Sequence, residues 1–237
     1  MSQYDAGGSA PRVNTPRPNP PRKKPSGDAD WGSWLLIAIM FATGLWPIGL
    51  FLLVKKLSDG SRKPKMKTIH ESGVDFGPYR EEELFHIEQS KLYQDLGQGL
   101  KATEFVLQAD NNIIFVEAKT NAPNPENKDD SSEKRQKFET FFREVPDKFI
   151  DSLGVYTAAL LKRYPDTSEI GVSLQRPDLA GIKIVFALVI TNPAAETDWL
   201  SPIKSVLEDR LRRWMKIWDI DIIVLNQALA KRFGIIK

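Results

Sequence analysis

The sequence predicts an α/β sandwich that follows a polar tail and one apolar segment of membrane-spanning length. Three observations carry that expectation. Ile182 to Thr191 is apolar on both faces, as a strand covered by helices on either side must be. Trp199, Ile203, Val206, Leu207, Leu211, Trp214 and Ile217 recur at helical spacing. Thr103 to Ala109 and Ile113 to Thr120 alternate as two strands joined by Asp110-Asn111-Asn112.

Composition narrows the chemistry. With 237 residues, 41% of them apolar and 27% charged, the chain can bury one full domain and still carry extra segments. It has no cysteine, so disulfides, zinc–thiolate sites and cysteine nucleophiles are excluded. Its two histidines, His70 and His86, are too few for a histidine zinc cluster. The net charge of +2 is unevenly spread: residues 1–67 hold eleven Lys/Arg against four Asp/Glu, which leaves 22 against 27 in the remainder. The globular part is therefore acidic, and nucleic acid could bind it only through a local patch or through metal ions.

Residues 1–30 carry six prolines and almost nothing apolar, the composition of a disordered tail. A ligand for a proline-binding protein partner is the other reading of that tail. Residues 31–56 hold the uncharged run Ser33 to Val54, long enough to cross a bilayer core of about 30 Å at roughly 1.5 Å per residue. Trp31, Trp34, Lys55 and Lys56 stand where interfacial anchors belong. Gly44, Pro47 and Gly49 either kink a single transmembrane helix or turn it into a re-entrant hairpin. Six Lys/Arg follow the segment closely and four precede it, which places the C-terminal domain on the cytoplasmic side of the cell's inner membrane. Residues 57–70 read as a basic linker and 71–237 as the α/β domain.

Within the domain, Glu81 to Leu96 reads as a helix closed by Gly97 and Gly99, with Leu84, Glu88, Leu92 and Leu96 on one stripe. The hairpin follows, then the polar loop Asn121 to Ser132. Phe138, Phe142, Val145, Phe149, Leu153, Tyr156 and Leu160 mark the next helix, with Pro146 expected to start its second half. Ile182–Thr191, the tryptophan-bearing helix, a short strand at Asp221–Asn226 and a helix at Gln227–Phe233 complete the order α-β-β-α-β-α-β-α.

The hairpin is the candidate site. A turn through Asp110-Asn111 sets Glu104 opposite Glu117, and a turn through Asn111-Asn112 sets it opposite Lys119. Either two-residue register gathers Glu104, Glu117 and Lys119 on one face, with opposite Cβ atoms about 5 Å apart, whereas a three-residue turn would set Glu104 opposite Ala118 and spoil the cluster. Glu88, on an apolar stripe, needs a cation, a metal or several donors. Carboxylates crowded together attract a hard divalent cation, and such an ion can activate water and steady charge growing on a phosphodiester. An exposed ladder of ion pairs is the alternative reading of the same residues.

The stretch "TEFVLQADNNIIFVEAKT", behind a segment that bears Glu88, resembles the active-site hairpin of the PD-(D/E)xK nuclease-like superfamily, which includes restriction endonucleases and Holliday-junction resolvases. Glu104, Glu117 and Lys119 match its acid and Glu-x-Lys positions in order, Glu88 matches its upstream glutamate, and the α-β-β-α-β order matches its core. Two positions depart: Glu104 stands where aspartate is usual, and Thr103 where the name-giving proline would be.

The resemblance implies a restriction-endonuclease-like fold and a membrane-anchored nuclease dependent on Mg²⁺ or Mn²⁺. Its metal would be held by Glu104, Glu117, Glu88 and the backbone carbonyl of Ala118. Lys119 would position the attacking water or stabilise the transition state. Nucleic acid, DNA in preference to RNA, would be the substrate. A catalytically inactive scaffold or sensor module tethered to the bilayer is the competing expectation, and an enzyme of another phosphate ester a third.

Overall fold

A computed structural model of the chain describes residues 64–125, 131–175, 181–192 and 197–236. The expectations for the tail, the apolar segment and the first part of the linker fall on residues 1–63 and lie outside the described residues. Among the described residues no helix is long and apolar enough to cross a membrane.

The domain is mixed α/β. Strands β1 (Met66–Glu71) and β2 (Val74–Arg80) form an antiparallel two-stranded sheet. A second sheet has the order β3 (Leu84–Phe85), β4 (Phe105–Ala109), β5 (Asn112–Lys119), β6 (Lys183–Ile190), β7 (Ile220–Asn226). Strand β4 runs antiparallel to its neighbours β3 and β5, and β5, β6 and β7 run parallel. The crossovers between the parallel strands are helices α2 (Ser132–Leu160), the short α3 (Val172–Gln175) and α4 (Leu200–Trp218). The short helices α1 (Lys91–Asp95) and α5 (Gln227–Arg232) follow β3 and β7.

Residue alternation in the strands sorts two cores. Ile113 and Phe115 of β5, Val106 of β4 and Phe186 of β6 point toward α2 and α4, where they meet Phe142, Phe149, Ile203, Leu207 and Leu211. Val116, Ala118, Phe105 and Leu107 point to the opposite face, which is covered by Ile69, Phe76 and Tyr79 of the small sheet and by Ala230 beyond β7. Phe149 stacks flat on Phe186 with ring centroids 4.6 Å apart and planes 6° from parallel, which fixes the middle of α2 over β6.

Three expectations are corrected. The opening helix over Glu81–Leu96 does not form: Glu81–Glu83 is one 3-10 turn, Leu84 and Phe85 pair with Leu107 and Val106, and only Lys91–Asp95 is helical. Leu84 and Phe85 enter cores on opposite sides of the sheet, which neighbouring positions on one helical stripe cannot do. Ser90 caps α1 by accepting from the Tyr93 amide at 3.1 Å, so the helix starts there. The domain also starts earlier than Glu71, because Met66–Glu71 of the expected linker is strand β1. Finally, α2 runs unbroken through Pro146, whose ring is buried along with Phe142, Val145 and Phe149. Burial of that stripe offsets a proline penalty of about 3 kcal/mol.

Gly171 docks the segment before α3 onto the start of the sheet, its amide donating to Leu84 O at 2.9 Å. A Cβ there would lie 2.5 Å from Glu82 O and 2.6 Å from Glu82 C, both backbone atoms. Gly171→Ala is therefore expected to destabilise the fold by about 1–3 kcal/mol. Urea denaturation checks this, and a loss no larger than that of an ordinary exposed glycine substitution would contradict it.

Candidate functional site

The β4–β5 hairpin turns through Asp110-Asn111, with Asp110 at φ 51°, a left-handed conformation that aspartate tolerates. Ala109 faces Asn112 and Phe105 faces Val116, so the register continues to Glu104 opposite Glu117. That is the first of the two-residue turns the sequence allowed, and not the three-residue turn that would have broken the cluster. Glu104, Glu117 and Lys119 thereby share the face that looks toward α2.

Glu117 has no exposed side-chain surface, and two ammonium groups meet it. Lys119 Nζ stands 3.0 Å from its Oε1. The second cation, Lys148, comes from α2 and reaches Oε1 at 2.9 Å and Oε2 at 3.1 Å, where it donates a hydrogen bond. Lys148 Nζ is also 3.6 Å from Glu88 Oε1 and 3.8 Å from Glu104 Oε1. Its position is set by the Phe149 stack beside it and, one turn on, by Ser152. The Ser152 hydroxyl accepts from the Thr103 amide at 2.8 Å and from Thr103 Oγ1 at 3.1 Å, which ties the residue before Glu104 to the helix. Lys101 pairs with Asp147 of the same helix at 3.2 Å.

Glu88 belongs to the site, yet it lies in the turn after β3 rather than on a helix. A further acid joins it: Glu71, the last residue of β1, offers an oxygen within 4.8 Å of one from Glu88 and one from Glu104. These three can converge on one metal ion, and Glu117 stands outside that trio, held by the lysines. Ala118 is buried with its methyl in the core opposite α2. Lys119 O accepts from Thr191 N beyond β6, so strand alternation turns the neighbouring Ala118 carbonyl toward β4, past the last β4–β5 pair.

Burial and neighbours set the protonation. Desolvation, a hydrogen bond with Glu88 and the Glu117 charge push Glu104 up to about 9. One of its oxygens, Oε2, is buried without a hydrogen-bond partner. Burial raises Glu117 as well, against the pull of Lys148 and Lys119. Burial also works on Glu88, but its hydrogen bond with Glu104 and the Lys148 charge carry it below the usual carboxylate range. Burial and the nearby Glu88 raise Glu71. Lys148 is desolvated too, yet Glu117 and its neighbours hold it above the ordinary lysine value.

His86 closes the Glu71 side of the cluster, with its buried Nε2 3.8 Å from Glu71 Oε1. Beyond His86 and Gln89 a half-open cleft of about 590 Å³ is lined by Lys65, Lys67, Leu84 and Ile170. Lys148 and Glu71 escaped the sequence reading. Lys148 had a signal, since it falls three residues after Val145 and four before Ser152, on the buried stripe of α2. No protein-family profile, curated protein or solved structure matches the chain.

The Glu104 shift has a consequence for stability. Its carboxyl ordinarily titrates at 4.5 and does so at about 9 when folded, so between those values the folded chain holds a proton that the unfolded chain has lost. Stability from the neutral acid is complete below about pH 4.5 and disappears as pH rises to about 9, with a limiting slope of about 1.4 kcal/mol per pH unit. Glu104→Gln cannot ionise and is expected to flatten that slope in urea denaturation at pH 5 to 9. An equally steep fall in the variant would assign the titration to another group.

Proposed function

We propose that the domain is a divalent-metal-dependent phosphodiester hydrolase, a nuclease, whose ion is held by Glu104 and Glu88 with Glu71 beside them. The observation that carries this reading is the unpartnered, buried Oε2 of Glu104 within a trio of converging carboxylates. The donor set fits Mg²⁺ or Mn²⁺, since it is made only of hard oxygens and the two lysines reach three of the four glutamates, Glu117, Glu88 and Glu104. By analogy with the superfamily, the Ala118 carbonyl, turned toward β4, would offer that ion a further oxygen.

Bound there, a divalent cation supplies a water of lowered pKa and neutralises charge that develops on a phosphate. The chain's own groups do the rest. Lys119, held at 3.0 Å by Glu117, is the donor that orients the attacking water or steadies the non-bridging phosphate oxygens. Glu117 fixes that ammonium and is placed by the strand rather than by a loop, so its position is rigid. Water adds to phosphorus and gives up a proton to solvent, the P–O ester bond to the leaving oxygen breaks, and that oxygen takes a proton from solvent. The cleft beside His86 is mixed in charge, with Lys65 and Lys67 set among Glu81, Glu82 and Glu169, so a nucleic-acid strand would approach the acids through those two lysines and the bound metal rather than over a basic surface.

The hairpin followed by a helical crossover to a parallel strand supports the PD-(D/E)xK reading of Glu104, Glu117 and Lys119. DNA is the expected substrate, and the apolar run of residues 33–54 would tether the domain to the cytoplasmic face of a bilayer. One observation favours a second reading. Lys148 and Lys119 already compensate Glu117, as they would in a non-catalytic scaffold built on buried ion pairs.

Incubation of the full-length chain with Mn²⁺ and linear, single-stranded and branched DNA, or with RNA, separates the two. Metal-dependent cleavage is expected, reduced by about 10²-fold or more in Glu104→Gln and in Lys119→Ala. Absence of both cleavage and Mn²⁺ binding at millimolar metal would leave the scaffold.

A further inference from the structure

We propose that Lys148 is the resident counter-cation of the acidic site and that a divalent ion enters only by displacing its ammonium. The inference rests on the metal reading above and adds its regulation. Lys148 Nζ stands 2.9 and 3.1 Å from the two oxygens of Glu117, 3.6 Å from Glu88 Oε1 and 3.8 Å from Glu104 Oε1. Two of those acids, Glu88 and Glu104, belong to the trio able to converge on a metal. The ammonium thus stands among the carboxylates beside two of the three acids that can gather an inorganic cation.

Two cations cannot both sit against these oxygens without strong mutual repulsion. The donors differ in rigidity in a way that decides which one yields. Glu104 and Glu117 are anchored by the β4–β5 register, and α2 is locked by the Phe149–Phe186 stack and the Ser152–Thr103 hydrogen bonds. The four-carbon stem of Lys148 can swing its charge away from Glu88 and Glu104 while the sheet stays in place. Without metal the lysine compensates Glu117 and leaves Glu104 Oε2 without a partner. With metal the lysine withdraws and stands free at the rim of the site, available to a phosphate. The apparent metal affinity is then set by competition with Lys148 and not by the acids alone.

Calorimetric titration of Mn²⁺ into the full-length chain tests this against Lys148→Gln and Lys148→Arg. Lys148→Gln removes the competitor and is expected to bind Mn²⁺ about tenfold more tightly or better, while Lys148→Arg, which keeps the charge, binds as weakly as the wild type. Equal or weaker binding by folded Lys148→Gln overturns the proposal and leaves the metal reading standing. Failure of every variant to bind Mn²⁺ overturns both. Should Lys148→Gln not fold, the wild type itself decides: acylation of Lys148, followed by peptide mass spectrometry, is expected to speed up severalfold when Mn²⁺ is bound. A rate that is unchanged or slower with Mn²⁺ bound overturns the displacement.

Discussion

A carboxylate with no contact to solvent, set on the covered face of a sheet, must be matched by positive charge at contact distance, because an isolated buried charge is far too costly to keep. Glu117 is that carboxylate, and the arrangement around it follows from meeting its demand. Lys119 meets it from the same strand face, two residues on. Lys148 meets it from the helix that crosses over the sheet. For Lys148 to arrive, α2 must run straight through Pro146 and press Phe149 onto Phe186, which is what the aromatic stack enforces.

The compensation is incomplete, and the remainder gives the site its chemistry. Glu71, Glu88 and Glu104 add three more acids around the two lysines, and Glu104 resolves the conflict by holding its proton up to about 9. A proton held in this way marks a place where a stronger cation would be welcome. It also means that part of the folding free energy is tied to keeping the acids neutral or paired. Stability and metal affinity are therefore linked through the same few oxygens.

Several of these features could be read from the residues in advance. The Asp110-Asn111-Asn112 turn offered two two-residue registers that bring Glu104, Glu117 and Lys119 together and a three-residue one that does not, and the chain takes the first. The doubly apolar Lys183–Ile190 stretch announced a central strand, and it is one. The segment before the hairpin misled, because Leu84, Glu88, Leu92 and Leu96 lie four apart by coincidence while Leu84 and Phe85 are drawn to opposite cores by pairing with β4. Glu71 was hidden since the β1–β2 hairpin is rich in charge and owes its shape to contacts with β4 and with residues far along the chain, such as the Tyr79 hydroxyl donating to Ile235 O. Lys148 was legible as a charge on an apolar stripe, a signal of the same kind that drew attention to Glu88.

The account stands on the acids forming a cation site that an ammonium fills in the absence of metal. Anomalous diffraction from crystals of the protein grown in millimolar Mn²⁺ tests that most directly. The expected result is a manganese peak bounded by Glu71, Glu88 and Glu104, with Lys148 Nζ drawn away from Glu117. Diffraction with no such peak, and with Lys148 still seated on both oxygens of Glu117, would contradict it.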